Sequence, residues 1–260
     1  MVDKISLVNT VSLPLDGVKN INITYQAESI MLKHSRDGQL TIQEYMSRKE
    51  SELFAEIVQT DDTVNLRHGR REDIPLSSRI EVYIPAGWSG ALSISTIDGS
   101  ISTQCDWRLS SLEALSVIGS VELNTVDADT IKLSSYTGSL LLACCTGNLD
   151  LRTVNGAIRV DKLSGGGNVI TINGNQQLYF SELSRPVKLS SENGEISLRL
   201  PQDPSFELNA RSITGAIYSS FDTLKLQPGQ NQAHSFAGEA PYHNVEISTT
   251  TGNIHISDSL

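Results

Sequence analysis

Glycine recurs through the last two thirds of this chain at a near-constant spacing, and that spacing limits the folds open to it. The residues are Gly99, Gly119, Gly138, Gly147, Gly156, Gly174, Gly194, Gly215 and Gly252, separated by 20, 19, 9, 9, 18, 20, 21 and 37 positions. Two residues after them stand Ile101, Val121, Leu140, Leu149, Ile158, Gln176, Ile196, Ile217 and Ile254, apolar except for Gln176. Five before, the residue is apolar in every unit. Three before, it is Ser or Thr (Thr96, Ser116, Ser135, Thr153, Thr171, Ser191, Ser212, Thr249), with Cys144 in the unit of Gly147.

Apolar residues at period two make strands with one buried face. A glycine, preceded by Asp98, Asn155, Asn173 or Asn193 in four units, supplies the positive φ of a tight turn, with Gly156 and Gly194 as examples. The Ser or Thr three positions earlier shares the inward parity, so its hydroxyl is expected to satisfy backbone groups inside the turn. A second breaker falls halfway between glycines, as at Asp127–Asp129, Gly165–Gly167, Arg185-Pro186 and Asp203-Pro204. An antiparallel meander gives no reason for every second turn to match. In a solenoid one corner recurs once per coil and stacks on itself. The pattern therefore predicts a flattened β-helix of parallel strands over residues 89–260, about eight or nine coils and about 40 Å long at about 4.8 Å per coil.

Residues 1–88 lack the period but alternate in short runs, such as Ile21–Tyr25 and Ile80–Ile84, with hairpin-type turns at Asp16-Gly17 and Asp37-Gly38. They are read as a β-rich region capping the solenoid, since an open end exposes unpaired backbone. Residues 47–57 can form one helical turn or two.

This order resembles the bacterial putative-adhesin family of domain of unknown function 4097: a β-rich start, then Arg79-Ile-Glu-Val-Tyr-Ile-Pro85, then repeated Ser/Thr-x-Asn/Thr-Gly-x-Ile/Leu units. The resemblance covers nearly the whole chain. It implies an all-β, right-handed single-stranded β-helix (β-solenoid) with an N-terminal β-sheet cap, and a non-enzymatic, adhesin-like interaction or scaffold role linked to the cell envelope or its stress response. It supplies no catalytic motif.

The remaining signals exclude more than they assign. With 30 acidic against 20 basic side chains the net charge is −10, and nothing resembles the basic stripe that phosphates require, so no nucleic-acid partner is expected. The basic spot Arg67, His68, Arg70, Arg71, followed at once by Glu72 and Asp73, reads as a solvated loop. The longest apolar run, Leu140 to Cys145, is six residues, so no transmembrane segment is expected. The N-terminus shows no secretory signal, which favours a cytoplasmic or membrane-peripheral location unless the sequence is a piece of a longer, surface-displayed protein. Cys105, Cys144 and Cys145 form no CxxC and are read as free thiols. The five histidines show no metal spacing; His234 and His243 share a polar excursion where the repeat skips a coil. Catalytic, cofactor-binding and metal residues are therefore expected to be none. The expected partner is a protein or envelope component. The rival class is a carbohydrate-binding or carbohydrate-cleaving β-helix, favoured if Asp127, Asp129, Asp150 and Asp161 cluster beside an exposed Trp88, Trp107 or Tyr136.

Overall fold

The computed structural model describes residues 4–71, 74–201, 204–221, 224, 226–227 and 229–258. Among them the one helical element is a single 3₁₀ turn, Ser51–Leu53, inside the segment where a short helix is expected. All else that is regular is strand. The first seven are β1 (Ser6–Leu13), β2 (Asn20–Thr24), β3 (Ser29–Ser35), β4 (Leu40–Met46), β5 (Glu56–Gln59), β6 (Thr63–Arg67) and β7 (Ser78–Pro85). The body follows as β8 (Ala91–Asp98), β9 (Ile101–Thr103), β10 (Asp106–Ile118), β11 (Val121–Thr137), β12 (Leu140–Asn155), β13 (Ile158–Asn173), β14 (Gln176–Asn193) and β15 (Ile196–Leu200). The chain finishes with β16 (Phe206–Ser212), β17 (Ile217–Ser219), β18 (Gln232–Ala237), β19 (His243–Thr251) and β20 (Ile254–Asp258).

From β8 to β15 each strand pairs in parallel with the segment one coil on, as a solenoid requires. Ile101, Val121, Ile158, Ile196 and Ile254 occupy one inward column and are fully buried. Gln176 holds the same column, between Ile158 and Ile196, and is equally buried. Its Nε2 donates across the core to the Ser190 carbonyl at 2.7 Å, which satisfies the donor half of the amide, while its Oε1 is buried without a partner among the described residues.

The glycines stack for a reason that φ alone does not supply. Gly119, Gly147 and Gly252 do have positive φ (146°, 136° and 142°), and Gly138 and Gly174 sit at the border of that region. Gly99, Gly156, Gly194 and Gly215 lie outside it, contrary to the expectation for Gly156 and Gly194. What all nine share is contact along the stack: a Cβ on Gly156 would overlap the Gly138 carbonyl oxygen, one on Gly174 that of Gly156, one on Gly194 that of Gly174, and one on Gly147 that of Ala128. The N–H groups of Gly99, Gly119, Gly138, Gly156, Gly174 and Gly194 bond the neighbouring coil, as Gly156 N does to Asn173 O at 3.0 Å, whereas Gly215 N bonds Ser212 Oγ of its own turn at 2.8 Å. The buried hydroxyl three residues earlier donates to the glycine carbonyl of the adjoining coil: Ser116 to Gly99 (2.7 Å), Ser135 to Gly119 (3.0 Å), Thr153 to Gly138 (2.9 Å), Thr249 to Gly194 (3.1 Å). Gly147 belongs to the opposite bend, stacked between Ala128 and Gly165, which accounts for the half-steps of nine.

The ends depart from sequential order. β2 and β3 stack directly against β8 and β9, and β6 and β7 stack outside β2 and β3, so parallel coils continue into residues 20–85. Antiparallel β5, β4 and β1 then cover the outermost coil. The other end mirrors this. β19 and β20 slot between the β14–β15 coil and the outermost β16–β17 coil, and antiparallel β18 covers β16. The 37-residue gap between Gly215 and Gly252 is thus a reversal of stacking order, and in the stack Gly252 lies between Gly194 and Gly215.

The basic spot corrects a second expectation. Arg67 and Arg70 are exposed, but Arg71 is buried and pairs with Glu28 and Glu44, both sealed from solvent. Its Nε also donates to Leu53 O at 2.7 Å, tying the 3₁₀ turn to the first coils. Each carboxylate has further donors: Gln26 and Ala27 N–H for Glu28, Asn9 Nδ2 and Ala55 N–H for Glu44. Tyr25 beside them titrates well above its usual value, through burial first and the Glu44 charge second. Glu72 and Asp73 lie outside the described residues.

Candidate functional site

With the inward columns spent on core and corners, function falls to the outward ones. Asp127 and Asp129 are exposed on the bend opposite the glycines. Asp150 projects from the strand face before the glycine corner, paired with Arg152 at 2.8 Å. Asp161 lies on the other face, paired with Arg159 at 2.5 Å. These acids do not converge. Trp107 is buried, donating to Thr103 Oγ1 at 2.7 Å and meeting His34 edge-on. Trp88 is half-buried against Val18 O at 2.9 Å, and Tyr136 alone of the three aromatics is open, at 58% exposure. Among the described residues no group of three His, Cys, Asp or Glu could hold a metal. His234 Nδ1 instead bonds Asn209 Oδ1 at 2.8 Å.

The three cysteines are free. Cys145 points into the core, and burial raises its thiol to about 12, while Cys144 next to it faces outward and is half-buried. A buried thiol of this kind is held protonated and is a poor nucleophile.

Two outward features remain. The first is a ridge beside the glycine corner, where Ile97, Val117, Tyr136, Val154 and Ile172 follow one another on successive coils. Ile97 and Tyr136 are more than half exposed. The second is a column on the flat face before the corner: Glu113, Lys132, Asp150, Asn168, Lys188, Glu246, Asn209 and His234, each in register with the next. Lys132 pairs with Glu113 at 2.6 Å and Lys188 with Glu246 at 2.8 Å. Open grooves of about 440 Å³ and about 670 Å³ lie along the far half of this column and share Asn244 and Glu246. The sequence reading missed this column, although all its residues but His234 stand six before a repeat glycine, in every unit from Gly119 to Gly252 except that of Gly147.

No helix of the described residues is long and apolar enough to cross a membrane. No curated protein matches the chain. Three solved structures cover nearly all of it. A putative cell adhesion protein from Clostridium sporogenes is 12% identical and covers 98% of this chain and 100% of its own, at TM-score 0.29. A putative adhesin from Bacteroides fragilis is 13% identical, covering 96% of each chain at TM-score 0.48. A putative adhesin from Parabacteroides distasonis is 9% identical and covers 99% of this chain and 98% of its own, at TM-score 0.56, a likeness of fold. The family model described as Toastrack DUF4097 matches residues 18–257, the span of the glycine-cornered coils and the first strands stacked on them. The chain belongs to the Toastrack DUF4097 family.

Proposed function

We propose that this protein is a non-enzymatic, adhesin-like recognition module that presents its outward sheet face to a component of the cell envelope, with residues 1–88 closing one end and residues 89–260 forming the binding body. One observation carries the reading: the polar column from Asp150 to His234 is open along its length and its charges cancel in neighbouring pairs. Catalysis by a carboxylate pair needs two such groups facing each other across a bound ligand. Here the acids project side by side from a flat surface. The solved structures named for adhesion lend the fold an adhesive context. Neither a cofactor nor a nucleic-acid partner enters the proposal.

The test is a two-part incubation with bacterial wall fragments and plant polysaccharides. Retention of the protein on such material without release of soluble product supports the reading. Reproducible product release, abolished by Glu246→Gln, overturns it.

A further inference from the structure

The C-terminal half of the polar column joins a row of polar side chains to an exposed aromatic pair. Asp150, Asn168, Lys188, Glu246, Asn209 and His234 span six neighbouring strands, a run of about 24 Å at about 4.8 Å per strand. Amide, carboxylate and imidazole side chains alternate with a single ammonium. At its end the antiparallel strand β18 adds Phe236, which packs against His234 with centroids 5.2 Å apart and against Tyr242 at the same distance. Both Phe236 and Tyr242 are 40% or more exposed. The two rings form a contiguous exposed aromatic pair on the cap beside the groove.

We infer that this trough binds a linear, uncharged oligosaccharide lying along the stack, its terminal sugar on the Phe236–Tyr242 pair. The inference rests on the proposed recognition role and names the chemical class it serves. Arg152, Lys188 and His234 hold the Asp150 carboxylate, Glu246 Oε1 and Asn209 Oδ1 in place, so the row is an ordered line of polar groups between whose members sugar hydroxyls, donors and acceptors at once, can bridge. The aromatic faces supply the apolar platform that the C–H face of a sugar ring covers. The Lys188–Glu246 and Asp150–Arg152 pairs cancel, and Arg211 and Glu207 flank Asn209 on β16 with opposite charge, so the trough carries little net charge and favours neither a polyanion nor a polycation. A peptide strand would need free backbone edges, and along this face the interior strands are already paired on both sides.

The experiment uses the full chain and two defined probes, the hexamer of N-acetylglucosamine and cellohexaose, by isothermal titration and on a wider glycan array. Binding of a neutral oligomer, weakened at least tenfold by Phe236→Ala with Tyr242→Ala and at least threefold by Asn209→Ala, supports the trough. Tyr136→Ala, on the glycine-corner ridge, should leave it unchanged. Melting curves of the variants report whether they fold, and Asn209→Gln serves if Asn209→Ala does not. Absence of any glycan binding, or binding indifferent to all three trough substitutions, overturns the inference. A protein partner cross-linked at Phe236 in the absence of glycan binding also overturns it but leaves the recognition role standing. Turnover of the oligomer overturns the role itself.

Discussion

Replacing Gly156 by Ala isolates the stacking contact from backbone strain, because this glycine lies outside the positive-φ region while its added methyl would overlap the Gly138 carbonyl oxygen. The two coils must separate by about 1 Å to restore van der Waals distance. Overpacking of this kind costs about 1–3 kcal/mol. The bonds that tie these two coils at this point are Gly138 N to Asn155 O (3.1 Å), Leu140 N to Ala157 O (2.9 Å) and Thr153 Oγ1 to Gly138 O (2.9 Å). Weakening one or two of them adds about 1 kcal/mol each. The expected total is about 3 kcal/mol, or a fall in Tm of about 6–12 °C at about 2–4 °C per kcal/mol for a chain of this size. Two further glycines calibrate the result. Gly38 has φ +74° and open space around it, so Gly38→Ala should cost only the left-handed penalty of about 1–2 kcal/mol. Gly87 has neither constraint, so Gly87→Ala should be neutral or slightly stabilising. Thermal and urea unfolding followed by far-ultraviolet circular dichroism measure all three. If Gly156→Ala melts with Gly87→Ala, the stacking account of the glycine period is wrong.

Arg71→Met strips the cation from two buried carboxylates and should destabilise by about 3–5 kcal/mol in urea, with partial recovery when Glu28→Gln and Glu44→Gln are added. Thr153→Val keeps the volume but removes a hydroxyl donor from the Gly138 carbonyl, so a loss of about 1 kcal/mol is expected in the same assay. Burial alone would raise Glu81, but hydrogen bonds from Lys33 and Tyr83 hold it below its usual range. A carboxyl lowered on folding stabilises above its unfolded pKa and loses that contribution as pH falls through the folded one, so the melting difference between wild type and Glu81→Gln should be full near pH 7 and fade below about pH 4. Native protein at about pH 8 should leave Cys145 unmodified by a thiol reagent that reaches it after unfolding, as burial raises it to about 12.

The body of the fold was legible because each coil repeats one set of constraints. Two apolar columns, a hydroxyl and a glycine recur at fixed offsets, and parallel stacking is the arrangement that uses each of them every turn. The reason for the glycine was less legible. A residue before Gly such as Asn155 or Asn193 suggests a positive φ, and the competing cause, a carbonyl oxygen approaching along the stack, involves residues 18 to 20 positions away that leave no local mark. Arg71 was misread on similar grounds: its neighbours are polar, and only the return of Glu28 and Glu44 from other coils makes it a buried partner.

The ends of the stack show why the period could not reveal them. A strictly sequential solenoid would leave its first and last coils bare. Here the chain lays down β16 and β17 as the outermost coil, covers β16 with antiparallel β18, and returns β19 and β20 to the inner position. Residues 20–35 and 63–85 exchange places in the same way at the other end. Each exchange buries a coil between two parallel neighbours and leaves a short antiparallel strand at the rim, which limits edge pairing with other molecules. The same exchange brings Glu246 of β19 between Lys188 of β14 and Asn209 of β16, and sets His234 and Phe236 of β18 beyond them. The order Lys188, Glu246, Asn209, His234 within the trough therefore follows from the out-of-order stacking, and a chain shortened before residue 243 would lose Glu246 from its centre while keeping β18.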